Sequence, residues 1–149
     1  MEKLQSTGCY QVDEATFKAI QETFSAGYLD DSATKKCIHD IYQQDNYVAD
    51  THTAVAWQVA QDYQKSTQDK TPMVVLSTAS PYKFSDSVLS ALGEDISDKD
   101  EFALLDKLST LNKDKIPQGL AQLQSLPILH NNLCAKEDMI KAVNTFLNI

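Results

Sequence analysis

Residues 71–84 have the sequence Thr-Pro-Met-Val-Val-Leu-Ser-Thr-Ala-Ser-Pro-Tyr-Lys-Phe, a short apolar run followed by a hydroxyl-rich turn. Apolar side chains at consecutive positions predict a strand over residues 72–77 that is buried on both faces, as in a parallel sheet. Ligands of open α/β sheets bind beyond the carboxyl ends of such strands. The hydroxyls of Ser77, Thr78 and Ser80 are therefore the first candidates for a binding site.

The bulk composition indicates a soluble globular domain. The 149 residues can form one domain, and the formal charge of -8 argues against a nucleic-acid partner. The three cysteines are widely spaced and show no metal-binding pattern, so we expect reduced thiols in the cytoplasm and no metal site. The first residues lack the apolar region of a secretory signal, and no apolar run approaches the ~18 residues of a membrane span.

The rest of the chain is predominantly helical in pattern. Apolar residues at helical spacing, with capping residues before them, predict six or seven helices. The third helix is apolar most of the way round and is predicted to be buried, and Ser97 or Asp98 is predicted to cap the fifth. The predicted helices cover residues 13–24, 32–44, 52–65, 84–92, 99–112, a short stretch after Pro117, and 136–147.

The predicted strand has few possible partners in this sequence. Residues 9–12 could form a weak strand, and residues 127–131 could form an edge strand. A two-sided apolar strand without neighbours would leave buried backbone groups unpaired, which is costly. Either these two segments pair with it, or its partner strands belong to sequence outside this chain.

His52 is the histidine with the most informative surroundings, because it follows Asp50 and Thr51 at the predicted start of a helix. Asp50 or Thr51 can cap this helix, and His52 then makes only local contacts. Alternatively, the helix N-terminus faces an anion or a cofactor. The acidic clusters elsewhere are explained by helix caps and solvated surfaces, and no Gly-rich phosphate loop is present.

Four segments, in order along the chain, resemble the threonine synthases of bacteria and fungi. Residues 76–84, Leu-Ser-Thr-Ala-Ser-Pro-Tyr-Lys-Phe, are similar to the family signature Ser-Thr-Ala-His-Pro-Ala-Lys-Phe. Residues 50–56, Asp-Thr-His-Thr-Ala-Val-Ala, resemble the family's Asp/Glu-Pro-His-x-Ala-Val-Ala/Gly. Residues 26–31 and 126–133 match two further family segments. The resemblance covers essentially the whole chain, but only the C-terminal third of the family.

The resemblance implies an α/β fold that is predominantly helical, the C-terminal part of a fold-type II, tryptophan-synthase-β-like enzyme. Such enzymes use pyridoxal phosphate to convert O-phosphohomoserine and water to L-threonine and phosphate. By the motif, Thr78 would contact the pyridine nitrogen of the cofactor, with Ser77 as a possible second contact. The other residues near this pocket would be supporting ones, namely Asp50, His52, Ser80 and Lys83.

The resemblance also implies that this chain is inactive alone. The Schiff-base lysine, the cofactor-phosphate loop and the substrate-phosphate site lie N-terminal to the matched region in the family. We therefore expect residues 1–149 to be a single C-terminal segment with no catalytic residue and no bound cofactor of its own. An exposed apolar face, where missing strands would dock, could cause self-association.

Three positions depart from the family pattern, since Thr51, Ser80 and Tyr82 stand where the family has proline, histidine and alanine. The alternative interpretation is a non-catalytic helical interaction domain that uses the hydroxyl-rich turn to bind an anion.

Overall fold

The computed structural model describes residues 2–97 and 100–149. The chain divides into two compact units, residues 1–116 and residues 117–149. In the described part of both units the only regular secondary structure is helical. The helical character predicted from the sequence is thus confirmed, and each unit has its own arrangement of helices.

The first unit is built around a set of helices that share one core. Helix α3 packs against both α4 and α5, and α5 packs in turn against α6. The side chains that fill this core include Ile38 on α3, Leu89 on α5 and Leu108 on α6, all fully buried. The helices of this unit are α1 Glu2–Thr7, α2 Glu14–Thr23, α3 Asp31–Asp45, α4 Thr51–Thr67, α5 Ser85–Ala91 and α6 Glu101–Leu111, with a 3₁₀ helix at Pro81–Phe84.

Aspartate side chains start the longer helices of this unit. Each accepts a backbone N–H of the first turn, which satisfies a donor that has no partner within the helix. The predicted cap of the fifth helix is corrected: Asp100 caps α6 and accepts from the N–H of Ala103, whereas Ser97 bonds to Asp95. Asp98 lies outside the described residues. The capping aspartates of α2, α3, α4 and α6 are Asp13, Asp30, Asp50 and Asp100.

The second unit is small and open. It contains helix α7 at Gln118–Ala121, 3₁₀ turns at Leu123–Ser125 and Lys136–Asp138, and helix α8 at Met139–Leu147. None of its residues is buried within this unit as described. Large apolar side chains of α8 are exposed, for example Ile140 and Phe146. The unit therefore has an apolar surface without a cover of its own.

The predicted strand at residues 72–77 is wrong. These residues form an irregular segment, and no strand occurs anywhere in residues 2–97 and 100–149, so the weaker strands predicted at 9–12 and 127–131 are also wrong. The side chains of Val74 and Leu76 are 86% and 70% exposed, not buried. The physical reason is that a strand forms only when neighbouring backbone supplies hydrogen bonds, and no neighbouring segment does so here.

Helix α4 was predicted to be buried on most sides, and this is also corrected. Only Thr53 and Ala54 are buried, at its first turn, and the other apolar side chains are half-buried or exposed. Helix α3 covers one side of α4, and the thiol of Cys37 on α3 donates to the carbonyl of Ala54 at 3.3 Å. The remaining apolar surface of α4 lacks a complete cover.

Among the described residues, no helix has the length and apolar character needed to cross a membrane.

Candidate functional site

A buried carboxylate organises the first turn of α4. Asp50 is 1% exposed and precedes the helix in an extended conformation. Its Oδ1 atom accepts the N–H groups of His52 at 2.9 Å and Thr53 at 3.4 Å. The hydroxyl of Thr53 donates to the other oxygen, Oδ2. Because a buried carboxylate is costly without hydrogen bonds, these bonds are what allow Asp50 to lie in the core.

A chain of hydroxyl groups leads from Asp50 to the carboxyl end of the 72–77 segment. The Oγ1 atom of Thr53 lies 3.3 Å from the Oγ of Ser77. The Ser77 hydroxyl lies 3.3 Å from the hydroxyl of Tyr47, in the loop between α3 and α4. The start of α4 and the end of the 72–77 segment therefore meet.

Alternate residues of this segment face opposite ways. Val75 and Ser77 line a cavity of about 320 Å³ together with Thr53 and Trp57 of α4 and neighbouring residues of α3 and its loop. Val74, which precedes Val75, and Leu76, which lies between Val75 and Ser77, are exposed. This is the alternation of an extended chain, in which successive side chains point to opposite faces. One face of the segment thus covers α4, and the other face is open.

Thr78 lies at the end of the open face. Its side chain is exposed, and within the described ranges its hydroxyl makes no hydrogen bond. In the sequence it is two residues from Leu76, the spacing at which side chains of an extended chain share one face. A free hydroxyl beside an exposed apolar side chain is therefore available to a ligand or another surface.

The turn after Thr78 is held by its own side chains. Ser80 caps the 3₁₀ helix at Pro81–Phe84, with its Oγ accepting the N–H of Tyr82 at 3.4 Å. Tyr82 is buried, and its hydroxyl donates to the carbonyl of Asp114 at 2.5 Å. Two of the departures from the family motif, Ser80 and Tyr82, thus have structural roles in this chain.

His52 and Lys83 both lie close to the Phe84 ring. The His52 and Phe84 ring centroids are 5.0 Å apart, and Lys83 Nζ is 5.7 Å from the Phe84 centroid. The His52 side chain is 60% exposed, and its Nδ1 atom lies 3.3 Å from Asp50 Oδ1. Asp50 and Phe84 therefore fix the orientation of His52, and its ring lines a shallow groove with Thr34 and Ser87.

The structure brings together most of the residues singled out in the sequence. Asp50, His52 and Ser77 belong to one connected cluster, and Ser80 and Lys83 belong to the adjoining turn. Thr78 stands apart on the open face. Among the described residues, no group of three or more His, Cys, Asp or Glu side chains is arranged to hold a metal ion.

Two residues of this cluster were missed in the sequence. Thr53 follows the capping Asp50 by three positions, where a hydroxyl is within reach of the cap, so the spacing could have identified it. Tyr47 has no such signal, because its contact with Ser77 spans 30 residues and depends on the fold.

The described structure is that of a helical protein with a hydrogen-bonded polar cluster at the start of α4 and an exposed apolar segment beside it. Comparison with known proteins identifies the particular family. A family model described as "Threonine synthase, C-terminal" matches residues 53–143. The chain belongs to the threonine synthase family and corresponds to its C-terminal domain.

Individual relatives agree with this assignment. Human threonine synthase-like 1 is 33% identical over 134 residues, which is 88% of this chain and 16% of that protein. Threonine synthase of Saccharomyces cerevisiae is 31% identical over 84% of this chain and 23% of the enzyme. Threonine synthase of Corynebacterium glutamicum is 29% identical over 69% of this chain and 21% of the enzyme. The chain thus spans less than a quarter of these relatives.

Proposed function

We propose that this chain is the C-terminal part of a pyridoxal-phosphate-dependent threonine synthase. The whole enzyme would convert O-phosphohomoserine and water to L-threonine and phosphate, as a carbon–oxygen lyase of amino-acid biosynthesis in the cytoplasm. This chain would supply one wall of the cofactor pocket and be inactive alone. The observation that carries the proposal is the open apolar face of residues 74–78, which ends in the family's Ser-Thr-Ala motif.

The open face fits a surface that other sequence covers. Val74 and Leu76 are exposed, although the apolar character of the run is that of a buried strand. Burying two such side chains contributes roughly 1.5–3 kcal/mol each. In the whole enzyme, apolar surface from its other parts would cover these side chains.

Thr78 fits one edge of the cofactor. Within the described ranges the Thr78 hydroxyl makes no hydrogen bond, and it is exposed near Leu76. The pyridine ring of the cofactor could therefore pack against Leu76 while the ring nitrogen forms a hydrogen bond with the Thr78 hydroxyl. When bound, pyridoxal phosphate supplies the electron sink of the reaction. A neutral hydroxyl can both donate and accept, so Thr78 would orient the ring without holding a proton on its nitrogen.

The supporting residues have separate tasks in this proposal. Asp50 holds the first turn of α4, and Ser80 holds the turn after Thr78. Lys83 and His52 would lie beside the Phe84 ring and form part of the surface next to the pocket, rather than act on the substrate. None of the chain's lysines lies in a segment resembling the family's lysine motif, so the covalent attachment of the cofactor is assigned to sequence beyond this chain.

A chimera tests the proposal. This chain replaces the matching segment of the Saccharomyces cerevisiae threonine synthase, and phosphate release from O-phosphohomoserine is measured. We expect the chimera to release phosphate and this chain alone to release none above the uncatalysed rate. A well-folded chimera without activity would contradict the proposal, and so would activity of the isolated chain.

A further inference from the structure

The segment between α4 and the 3₁₀ helix is fixed by very few interactions. For residues 72–79, the hydrogen bonds found in the described part of the chain are the two at the hydroxyl of Ser77. The nearest bonds on either side are at the carbonyl of Thr71, which accepts from Gln64, and at the carbonyl of Ser80, which accepts from Lys83. Ser77 therefore supplies the hydrogen bonds of this segment in the described part of the chain, beside the packing of Val75 in the cavity next to α4.

The hydroxyl of Thr53 faces two acceptor oxygens. It donates to Oδ2 of Asp50, and it is also oriented as the donor toward the Oγ of Ser77, 3.3 Å away. Because a hydroxyl has one proton, these two acceptors share it. The Ser77 hydroxyl can then either donate to the hydroxyl of Tyr47, 3.3 Å away, or accept from it. The three hydroxyls thus form one chain that ends on the carboxylate of Asp50.

We propose that Thr53 is a positioning residue that, held by Asp50, fixes Ser77 against α4 and so turns Thr78 toward the open face. The inference rests on the proposed function for the role of Thr78. It also assigns Ser77 a different role from that of a cofactor contact. The Ser77 hydroxyl already has two protein partners, and the alternation of an extended chain directs it away from Thr78.

Nuclear magnetic resonance relaxation on this chain tests the positioning directly. We expect backbone order parameters of Ser77 and Thr78 near 0.85 in the wild-type chain, as in a rigid backbone, and below about 0.6 in Thr53→Val. Valine keeps the shape of threonine but can donate neither to Ser77 nor to Asp50. Thr53→Ser restores the hydroxyl and is expected to restore the order parameters.

Thr34→Val is the matched control. Thr34 is also a buried threonine near a helix start, but its hydroxyl donates to the carbonyl of Asp30 within α3. It is expected to leave residues 77 and 78 rigid. If Thr53→Val does not fold, Ser77→Ala provides the same test, because Ser77 is exposed and its loss does not open a buried cavity.

The inference is overturned if residues 77 and 78 stay rigid in Thr53→Val or Ser77→Ala, or if Thr34→Val loosens them equally. These outcomes are independent of the proposed function, because the relaxation measurement needs neither cofactor nor substrate. An inactive chimera would instead count against the proposed function while leaving the positioning of Ser77 intact.

Discussion

Asp50 accepts more hydrogen bonds than any exposed capping residue in the described part of the chain. Replacing it by alanine removes the acceptor for two backbone N–H groups and the Thr53 hydroxyl, in a site without solvent to replace them. We expect Asp50→Ala to lower the free energy of unfolding by about 2–3 kcal/mol. Urea unfolding followed by Trp57 fluorescence measures this loss.

Asp30→Ala is the control for that substitution. Asp30 caps α3 through the N–H of Ala33, but it is exposed, so water can replace the lost acceptor. Its expected cost is about 1 kcal/mol. Equal losses in the two variants would mean that the burial of Asp50 adds nothing beyond ordinary capping.

Two buried groups make the chain sensitive to alkaline pH. Burial raises the pKa of the Cys37 thiol and of the Tyr82 hydroxyl above their ordinary values. Their folded-state pKa values therefore exceed the unfolded ones. The stability that they contribute is fully present below the ordinary cysteine pKa of about 8.5 and is lost as the pH rises through the folded values.

The free energy of unfolding is thus expected to fall as the pH rises above about 8.5, as measured by urea unfolding at a series of pH values. The double variant Cys37→Ala, Tyr82→Phe should show a flatter profile over this range, although its stability at pH 7 is lower. A slope as steep as that of the wild-type chain would show that other groups control the alkaline transition.

At the scale of elements, the sequence predicts helices well and the strand badly. Helix α4 can be predicted from the sequence because Asp50 caps it and its apolar residues recur at helical spacing. Both are properties of the segment itself. Residues 72–77 have the composition of a buried strand, but strand formation needs a neighbour, and composition does not specify whether one is present. The same limit applies to the site: the cap at Asp50 is local, whereas the contact between Tyr47 and Ser77 exists only in the fold.

The exposed face of this segment gives an element-scale prediction. Leu76→Asp should change the free energy of unfolding of this chain by less than about 0.5 kcal/mol, because the leucine is 70% exposed. Leu89→Ala, in the core of the first unit, should cost about 2–5 kcal/mol. A loss from Leu76→Asp as large as that from Leu89→Ala would show that the segment is buried in solution. In the chimera, Leu76→Asp should instead abolish activity, since the aspartate would face the apolar surface that is proposed to cover this segment.

At the scale of the molecule, the exposed apolar side chains of α8 distinguish this chain from an ordinary monomeric domain. Its apolar stripe includes Ile140 and Phe146, and the second unit has no buried residue of its own. Such a surface favours association with whatever apolar surface is available. In the intact enzyme, the rest of the protein would supply it.

We therefore expect the isolated chain to self-associate with rising concentration, as measured by sedimentation velocity. The variant Ile140→Ser, Phe146→Ser should shift this association to at least tenfold higher concentration. Tyr28→Ser, which removes an even more exposed aromatic side chain from the first unit, should leave it unchanged. If the wild-type chain and both variants associate equally, the contact between copies does not involve the apolar side chains of α8.

In the proposed enzyme, this chain forms one wall of a pyridoxal phosphate pocket, and Thr78 contacts the ring. This contact is tested by the visible absorption spectrum and the dissociation constant of the cofactor in the chimera, compared with those in its Thr78→Val variant. We expect a shifted band and at least tenfold weaker binding in Thr78→Val, with Ser85→Ala in the following helix as an unchanged control. An identical spectrum and affinity in Thr78→Val would contradict it.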